Sequence, residues 1–288
     1  MSPRDASLSV ANFSKSRRAT IRSLAVVGLL LFGFISFIVT ADAAGVIESA
    51  REGEPDDPPP SKEALAGAEA PGESLHLVGG LALLATGGSG LIALIAKPEW
   101  SGTALQVAAV MTGILITAPI VGDPDNVGGM AGPIDPLFVI VALPGLVAAI
   151  LAKPWRDGRA SRRRLSFLTL AAIGAIPIVW YGVGQALMQR NTFPPSADPH
   201  HNAHWWAMSA LAFAGILVLS GAGLGLRGWR VGATAVGLSG IAFGVASLVA
   251  PEAASAVSFL WSIASILWGL AILAAQLRLL STTRTASA

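Results

Sequence analysis

The chain has no cysteine and little charge, since only 12% of its 288 residues are Asp, Glu, Lys or Arg. Without a thiol it can form no disulfide, no thiolate nucleophile and no cysteine-ligated zinc or iron–sulfur site. A soluble domain usually carries about 25% charged residues. This chain is instead 53% hydrophobic, with a mean hydropathy of +0.65. The composition therefore excludes a conventional soluble enzyme.

The apolar residues fall into eight blocks, each close to the roughly 20 residues with which a helix crosses a hydrocarbon core of about 30 Å. Because backbone polar groups in lipid must be paired within the protein, spans of this length are helices. The sequence predicts an all-α, polytopic integral membrane bundle with eight transmembrane helices. The predicted spans are residues 23–40, 75–96, 103–121, 137–152, 165–187, 204–225, 231–250 and 255–277.

The charges between the spans predict the orientation. If the N-terminus is cytoplasmic, the inner segments hold sixteen Lys and Arg with three acids, and the outer segments hold three Lys and Arg with fourteen acids. Inner loops of membrane proteins collect Lys and Arg, so we expect both termini in the cytoplasm. The inner run from Arg156 to Arg164 is a topology determinant and a candidate site for anionic lipid headgroups.

The first span has two interpretations, a transmembrane helix or a cleaved signal sequence. Basic residues precede it, and Ala41-Asp42-Ala43 follows it in a pattern like a signal-peptidase site. Cleavage would leave seven spans in the same orientation. The predicted parts are a basic tail (1–22), the first span (23–40), an acidic Pro-rich outer loop (41–74), a seven-helix domain (75–280) and a cytoplasmic tail (281–288). We expect the loop to be disordered because it has few large apolar groups.

Glycines inside the seventh predicted span indicate how the helices pack. Gly240 and Gly244 are four residues apart and lie on one face of a helix. Small residues at this spacing let a second helix approach closely. The pattern therefore predicts tight packing of the seventh helix within the bundle.

All four histidines fall on the predicted outer side, three of them near the start of the sixth span, where Asp198-Pro199 predicts a helix start. His200 and His204 lie one helical turn apart, a spacing with which two imidazoles chelate one metal ion. Imidazole and thioether ligands suit copper, with zinc as the alternative. The candidate metal ligands are His76, His200, His201, His204, Met208 and Asp198.

Three functions are compatible with these features. The first is a non-enzymatic membrane protein that binds copper or zinc, or a b-type haem, at its extracytoplasmic face. The second is a permease-like or scaffold subunit that handles a small neutral or lipidic molecule, with histidines that only anchor the interface. The third is a zinc-dependent membrane hydrolase. The second would be favoured by a continuous cavity lined by Gln106, Thr117, Tyr181 and Gln185.

The expected surroundings follow from the same composition. The spans contain almost no ionisable residues, which argues against a proton-coupled transporter. No phosphate-binding loop, dinucleotide turn or nucleophile elbow is present, so the sequence favours a protein without enzymatic activity.

The expected partners are the lipid bilayer and other membrane proteins or a second copy, and not nucleic acid. A cysteine-free, multi-pass chain rich in Ala and Gly is typical of a bacterial plasma membrane.

Overall fold

The computed structural model describes residues 15–43, 73–121, 136–152, 164–192, 203–253 and 255–285. These ranges contain eight helices and no strand, which confirms the all-α prediction. The helices are α1 (Lys15–Ala43), α2 (Glu73–Ala96), α3 (Ser101–Val121), α4 (Pro136–Ala152), α5 (Leu165–Thr192), α6 (Ala203–Gly223), α7 (Trp229–Val249) and α8 (Phe259–Thr285).

Each predicted span overlaps one of these helices. For α2 to α8, the predicted and observed first residues differ most in α8. The span was expected from residue 255, but α8 begins at Phe259. The preceding residues form turns, because the N–H of Ala253 donates to the carbonyl of Ala250, and the N–H of Ala256 donates to that of Ala253. The predicted outer loop spanned residues 41–74, but α1 continues to Ala43 and α2 begins at Glu73. Residues 44–72 of that loop lie outside the described residues.

Four of the described helices are long and apolar enough to cross a membrane. Their segments are Val78–Ala96, Leu165–Met188, Trp229–Val249 and Phe259–Leu279. A helix of 21 residues is about 30 Å long, which matches the hydrocarbon thickness. Shorter apolar segments occur at Ser101–Thr117, Val139–Ala152 and Ala207–Gly223. Large apolar side chains are also exposed on the outside of the bundle, a combination that is typical of a membrane protein.

The centre of the bundle is formed by α2, α3, α6 and α7. On one side, α1 packs on α2 and α4, and α4 also packs on α3. On the other side, α5 packs mainly on α6, and α8 packs mainly on α7. One buried cluster joins α1, α2, α3, α4 and α6, and a second joins α3, α5, α6, α7 and α8. The peripheral helices α5 and α8 therefore hold to the bundle through different central helices.

Glycines bring neighbouring helices into backbone contact. A methyl group placed on Gly244 of α7 would come within 2.5 Å of the Ser262 carbonyl oxygen of α8. The same addition at Gly240 would lie 3.2 Å from the ring of Trp268. This confirms that the Gly240 and Gly244 pair marks a close helix contact. Without a hydrophobic drive between helices in lipid, such contacts stabilise a bundle through packing.

Basic side chains at one end of the bundle close the C-terminal ends of two helices. Arg17, near the start of α1, donates from Nε to the carbonyl oxygen of Leu151 in α4 at 3.0 Å. Arg22 donates from Nε to the carbonyl oxygen of Ile95 in α2, also at 3.0 Å. The last carbonyls of a helix lack intrahelical partners. These arginines therefore satisfy them, and they gather positive charge at the end that the sequence assigns to the inner side.

The packing predicts that a methyl group at Gly244 destabilises the bundle. In Gly244→Ala the new group overlaps the Ser262 carbonyl, and we expect a loss of about 1–3 kcal/mol in unfolding free energy. Gly184→Ala is the matched control, because it adds the same methyl to α5 with no heavy atom within 4 Å. Thermal unfolding in detergent measures both. An equal melting temperature for the two variants would contradict the close contact.

Candidate functional site

A cavity of about 800 Å³ lies between α5, α6, α7 and α8, and we call it the side cavity. It forms because α5 packs on α6 and α8 packs on α7, while α5 and α8 make few contacts with each other. Small residues leave room at its back: an added methyl on Gly215 of α6 would meet only the Val236 side chain, at 3.9 Å. The lining residues are Ile173, Gly174, Ile176, Pro177, Ile178, Trp180, Tyr181, Met208, Leu211, Ala212, Gly215, Val236, Ser239, Gly240, Phe243, Val257, Trp261, Ala264, Ser265 and Trp268.

The walls of the side cavity are aromatic and aliphatic. Tyr181 and Phe243 meet edge to face, with ring centroids 5.1 Å apart. Trp180 and Trp261 are also lining residues and are exposed on the outside of the bundle, Trp180 at 82%. The cavity therefore opens sideways, between α5 and α8, toward whatever surrounds the helices.

Three hydrogen-bond donors in the wall have protein acceptors. The Tyr181 hydroxyl donates to the Ser255 carbonyl oxygen at 3.1 Å. Trp268 Nε1 donates to the Leu170 carbonyl oxygen at 2.9 Å, and the Ser265 hydroxyl donates to the Gly240 carbonyl oxygen at 2.8 Å. No lining residue carries a formal charge. The side cavity therefore offers an apolar surface, and it suits a neutral, apolar occupant rather than an ion.

The cavity that sequence reasoning associated with a permease is only partly the observed one. Tyr181 lines the side cavity, but Gln106, Thr117 and Gln185 are absent from its wall. Gln106 is buried between helices, where its Nε2 donates to the Thr86 carbonyl and to the Ser89 hydroxyl at 3.1 Å. The side cavity is therefore not the continuous cavity that would favour a permease, because Gln106 joins α3 to α2 instead of lining it.

Sequence reasoning did not single out the lining residues of α8. Trp261 and Trp268 are seven residues apart, with Ala264 and Ser265 between them. Positions spaced by three, four and seven lie on one face of a helix. The spacing therefore predicts that one face of α8 carries two indoles. It does not indicate which helix lies opposite that face.

The histidine cluster is described only in part. Asp198, His200 and His201 lie outside the described residues, whereas His76 falls in α2 and His204 in α6. Met208 is 3% exposed and packs in a buried cluster with Ala246 and Ala250. Among the residues that the structure describes, no group of three or more His, Cys, Asp or Glu is placed to hold a metal ion. The six-residue ligand set stays a prediction.

One contact does relate the two helices that carry His76 and His204. A methyl group on Gly79 of α2 would overlap the sulfur of Met208 in α6. Gly79 follows His76 by three residues, and Met208 follows His204 by four, so each histidine backbone lies about one turn from this contact. Both helices begin near this level, and the structure thus places the two backbone positions at the same end of adjacent helices.

Comparison of the chain with protein families, with curated proteins and with solved structures found no match.

Proposed function

We propose that the chain is an eight-span protein of the bacterial plasma membrane that holds a lipidic or other neutral apolar molecule in the side cavity. The observation that carries this proposal is the chemistry of the cavity wall, which has no charged group and whose Tyr181, Ser265 and Trp268 donors bond to the protein. Pockets for a single small ligand usually measure about 300–1,000 Å³. The volume of about 800 Å³ fits one such molecule.

The sideways opening supports a ligand that arrives from the bilayer. Trp180 and Ile176 are both 82% exposed beside the cavity, and they lie in an apolar segment long enough to span the membrane. A ligand dissolved in hydrocarbon could enter between α5 and α8 without crossing water. An ion or sugar would lose its hydration there and gain few hydrogen bonds in return. This route favours a scaffold or a permease for apolar molecules over a metabolite transporter.

The proposed orientation has both termini in the cytoplasm. It is supported by the distribution of Lys and Arg in the sequence and by the position of Arg17 and Arg22 beside the C-terminal ends of α4 and α2. Negative helix ends and positive side chains are then neighbours on the inner side. The outer side holds Glu252, which lies in the turn between α7 and α8.

The orientation can be tested by single cysteines, because the natural chain has none. We expect a membrane-impermeant maleimide to label Glu252→Cys in intact cells and Lys97→Cys only after permeabilisation. Both positions are exposed, so the reagent can reach them. Labelling of Lys97→Cys in intact cells would contradict the proposed orientation. A third variant, Ser16→Cys, distinguishes eight spans from seven, because cleavage after the first span removes the label from the mature chain.

The side cavity predicts a bound apolar molecule that survives purification. In Gly215→Leu the new side chain occupies part of the volume that the ligand would fill, and we expect occupancy to fall about tenfold, which corresponds to about 1.4 kcal/mol of binding free energy. Gly184→Leu adds the same group to an exposed face of α5, where no heavy atom lies within 4 Å. Native mass spectrometry of the detergent-solubilised protein counts the bound molecules. Equal occupancy in wild type, Gly215→Leu and Gly184→Leu would overturn the proposal.

A metal site at the outer end is the second candidate function, and the contact between Gly79 and Met208 favours it. That contact brings the backbones of His76 and His204 to one end of two packed helices. His200, one turn before His204 in the sequence, would supply a further imidazole. Zinc would act there as a Lewis acid, and copper could also carry an electron.

The metal candidate predicts stoichiometric copper or zinc in the purified protein, or the Soret band of a haem. We expect the double variant His200→Ala/His204→Ala to lose the metal, because two of its imidazole ligands are removed. Elemental analysis and an absorption spectrum of both proteins measure this. Arg22→Gln, at the other end of the bundle, is the control for general damage. Metal retained by the double variant would contradict the site, whereas the side cavity would be unaffected.

A further inference from the structure

A tryptophan at the inner end of the bundle is flanked by two arginines. The guanidinium carbon of Arg164, just before α5, lies 4.2 Å from the ring centroid of Trp229, the first residue of α7. The guanidinium carbon of Arg230 lies 5.8 Å from the same centroid. Both distances are within the reach of a cation–π interaction. Two positive charges are therefore held beside one ring.

The Trp229 ring is firmly positioned. Trp229 is 7% exposed, and its ring meets the buried Phe167 of α5 edge to face at 5.0 Å. Gly228 makes the turn into α7 with a backbone φ of 77°, in the left-handed region that favours glycine. The N–H of Arg164 donates to the carbonyl of Gly223 at the end of α6, at 2.9 Å. The backbones of three helices thus set the distance between the two arginines.

Within the part of the chain that the structure describes, no acidic side chain pairs with Arg164 or Arg230. Arg164 Nη1 is buried and has no hydrogen-bond partner among the described residues. Burial, and secondarily the charge of Arg230, lowers the pKa of Arg164 from its usual value. The first turns of α5 and α7 contain no acidic residue, and no side chain caps the start of α7. Helix N-termini are themselves positive and carry free N–H groups, so the structure assembles donors and positive charge together.

Exposed apolar side chains border the arginines on the outside of the bundle. Leu165, next to Arg164, is 68% exposed, and Leu224, next to Gly223, is 45% exposed. A molecule with an anionic head beside an apolar tail would meet complementary groups at both ends. Free phosphate would use only the arginines. We propose that Arg164 and Arg230 bind the phosphate of an anionic phospholipid, whose acyl chains lie against the neighbouring leucines.

The chemistry of arginine suits this ligand. A guanidinium group has a planar fork of donors that matches two oxygens of a phosphate. Binding at the accessible part of the Arg164 guanidinium and at Arg230 would neutralise part of the repulsion between the two arginines. The level in the membrane also fits, because the start of α5 and the start of α7 are where the sequence places the inner surface. The proposal is independent of the occupant of the side cavity.

The test compares two lipids with identical acyl chains, phosphatidylglycerol and phosphatidylcholine, added to the full chain in detergent and counted by native mass spectrometry. We expect wild type to prefer phosphatidylglycerol about tenfold, the effect of one or two charge-assisted hydrogen bonds. Arg164→Gln/Arg230→Gln should lose this preference. Arg230→Gln alone, at an exposed position, should reduce it without endangering the fold. Arg22→Gln removes one positive charge elsewhere, on α1, and should keep the preference for phosphatidylglycerol.

Three outcomes would overturn the proposal. The first is an equal preference in wild type and in both Arg230 variants, which would place the lipid elsewhere. The second is an equal loss of the preference in Arg22→Gln, which would show that the preference depends only on the overall charge of the protein. The third is displacement of phosphatidylglycerol by millimolar inorganic phosphate, which would make the ligand a free anion and not a lipid.

Discussion

The bundle depends on close approach of helix backbones, which glycine permits both between central helices and where outer helices pack on their neighbours. Gly113 of α3 faces the Ala210 carbonyl of α6, Gly28 of α1 faces Gly145 of α4, and Gly244 faces the carbonyl of Ser262. In lipid, an apolar side chain gains little by turning inward, so packing and hydrogen bonds hold helices together. Helices that meet through small residues have their backbones in contact. Helices α5 and α8 do not meet in this way, and the side cavity lies between them.

The side cavity and the proposed phosphate site at Arg164 and Arg230 both follow from the way in which these helices pack. Because α5 is held by α6 and α8 by α7, α5 and α8 make few contacts with each other, and aromatic side chains line the gap between them. At the other region, the N–H of Arg164 joins the start of α5 to the end of α6, and the Trp229 ring packs against Phe167. An apolar occupant suits the first region and an anionic head suits the second. The ligands proposed for the two regions are both components of a membrane, so the two proposals agree on lipidic molecules that arrive from within the bilayer.

Much of the fold could be predicted from the sequence, because the period and length of apolar blocks report directly on helices in lipid. The helical class and the Gly240 and Gly244 contact were confirmed, while the eight-span topology stays a prediction. The side cavity could not be foreseen, since it depends on which helices pack together and no local pattern encodes that α5 lies on α6. Gln106 shows the difficulty: a polar residue in a span resembles a cavity lining, yet it joins two helices. The metal ligands stay a prediction.

The most direct test of the account is what fills the side cavity in a membrane. A spin label on Ala264→Cys, a cavity-lining position of α8, can be placed without competition because the natural chain has no cysteine. Power-saturation electron paramagnetic resonance in lipid vesicles then measures its collisions with oxygen and with a water-soluble nickel chelate. The account predicts frequent collisions with oxygen and few with the chelate, as expected for a cavity open to hydrocarbon. Frequent collisions with the chelate would show an aqueous cavity and contradict it.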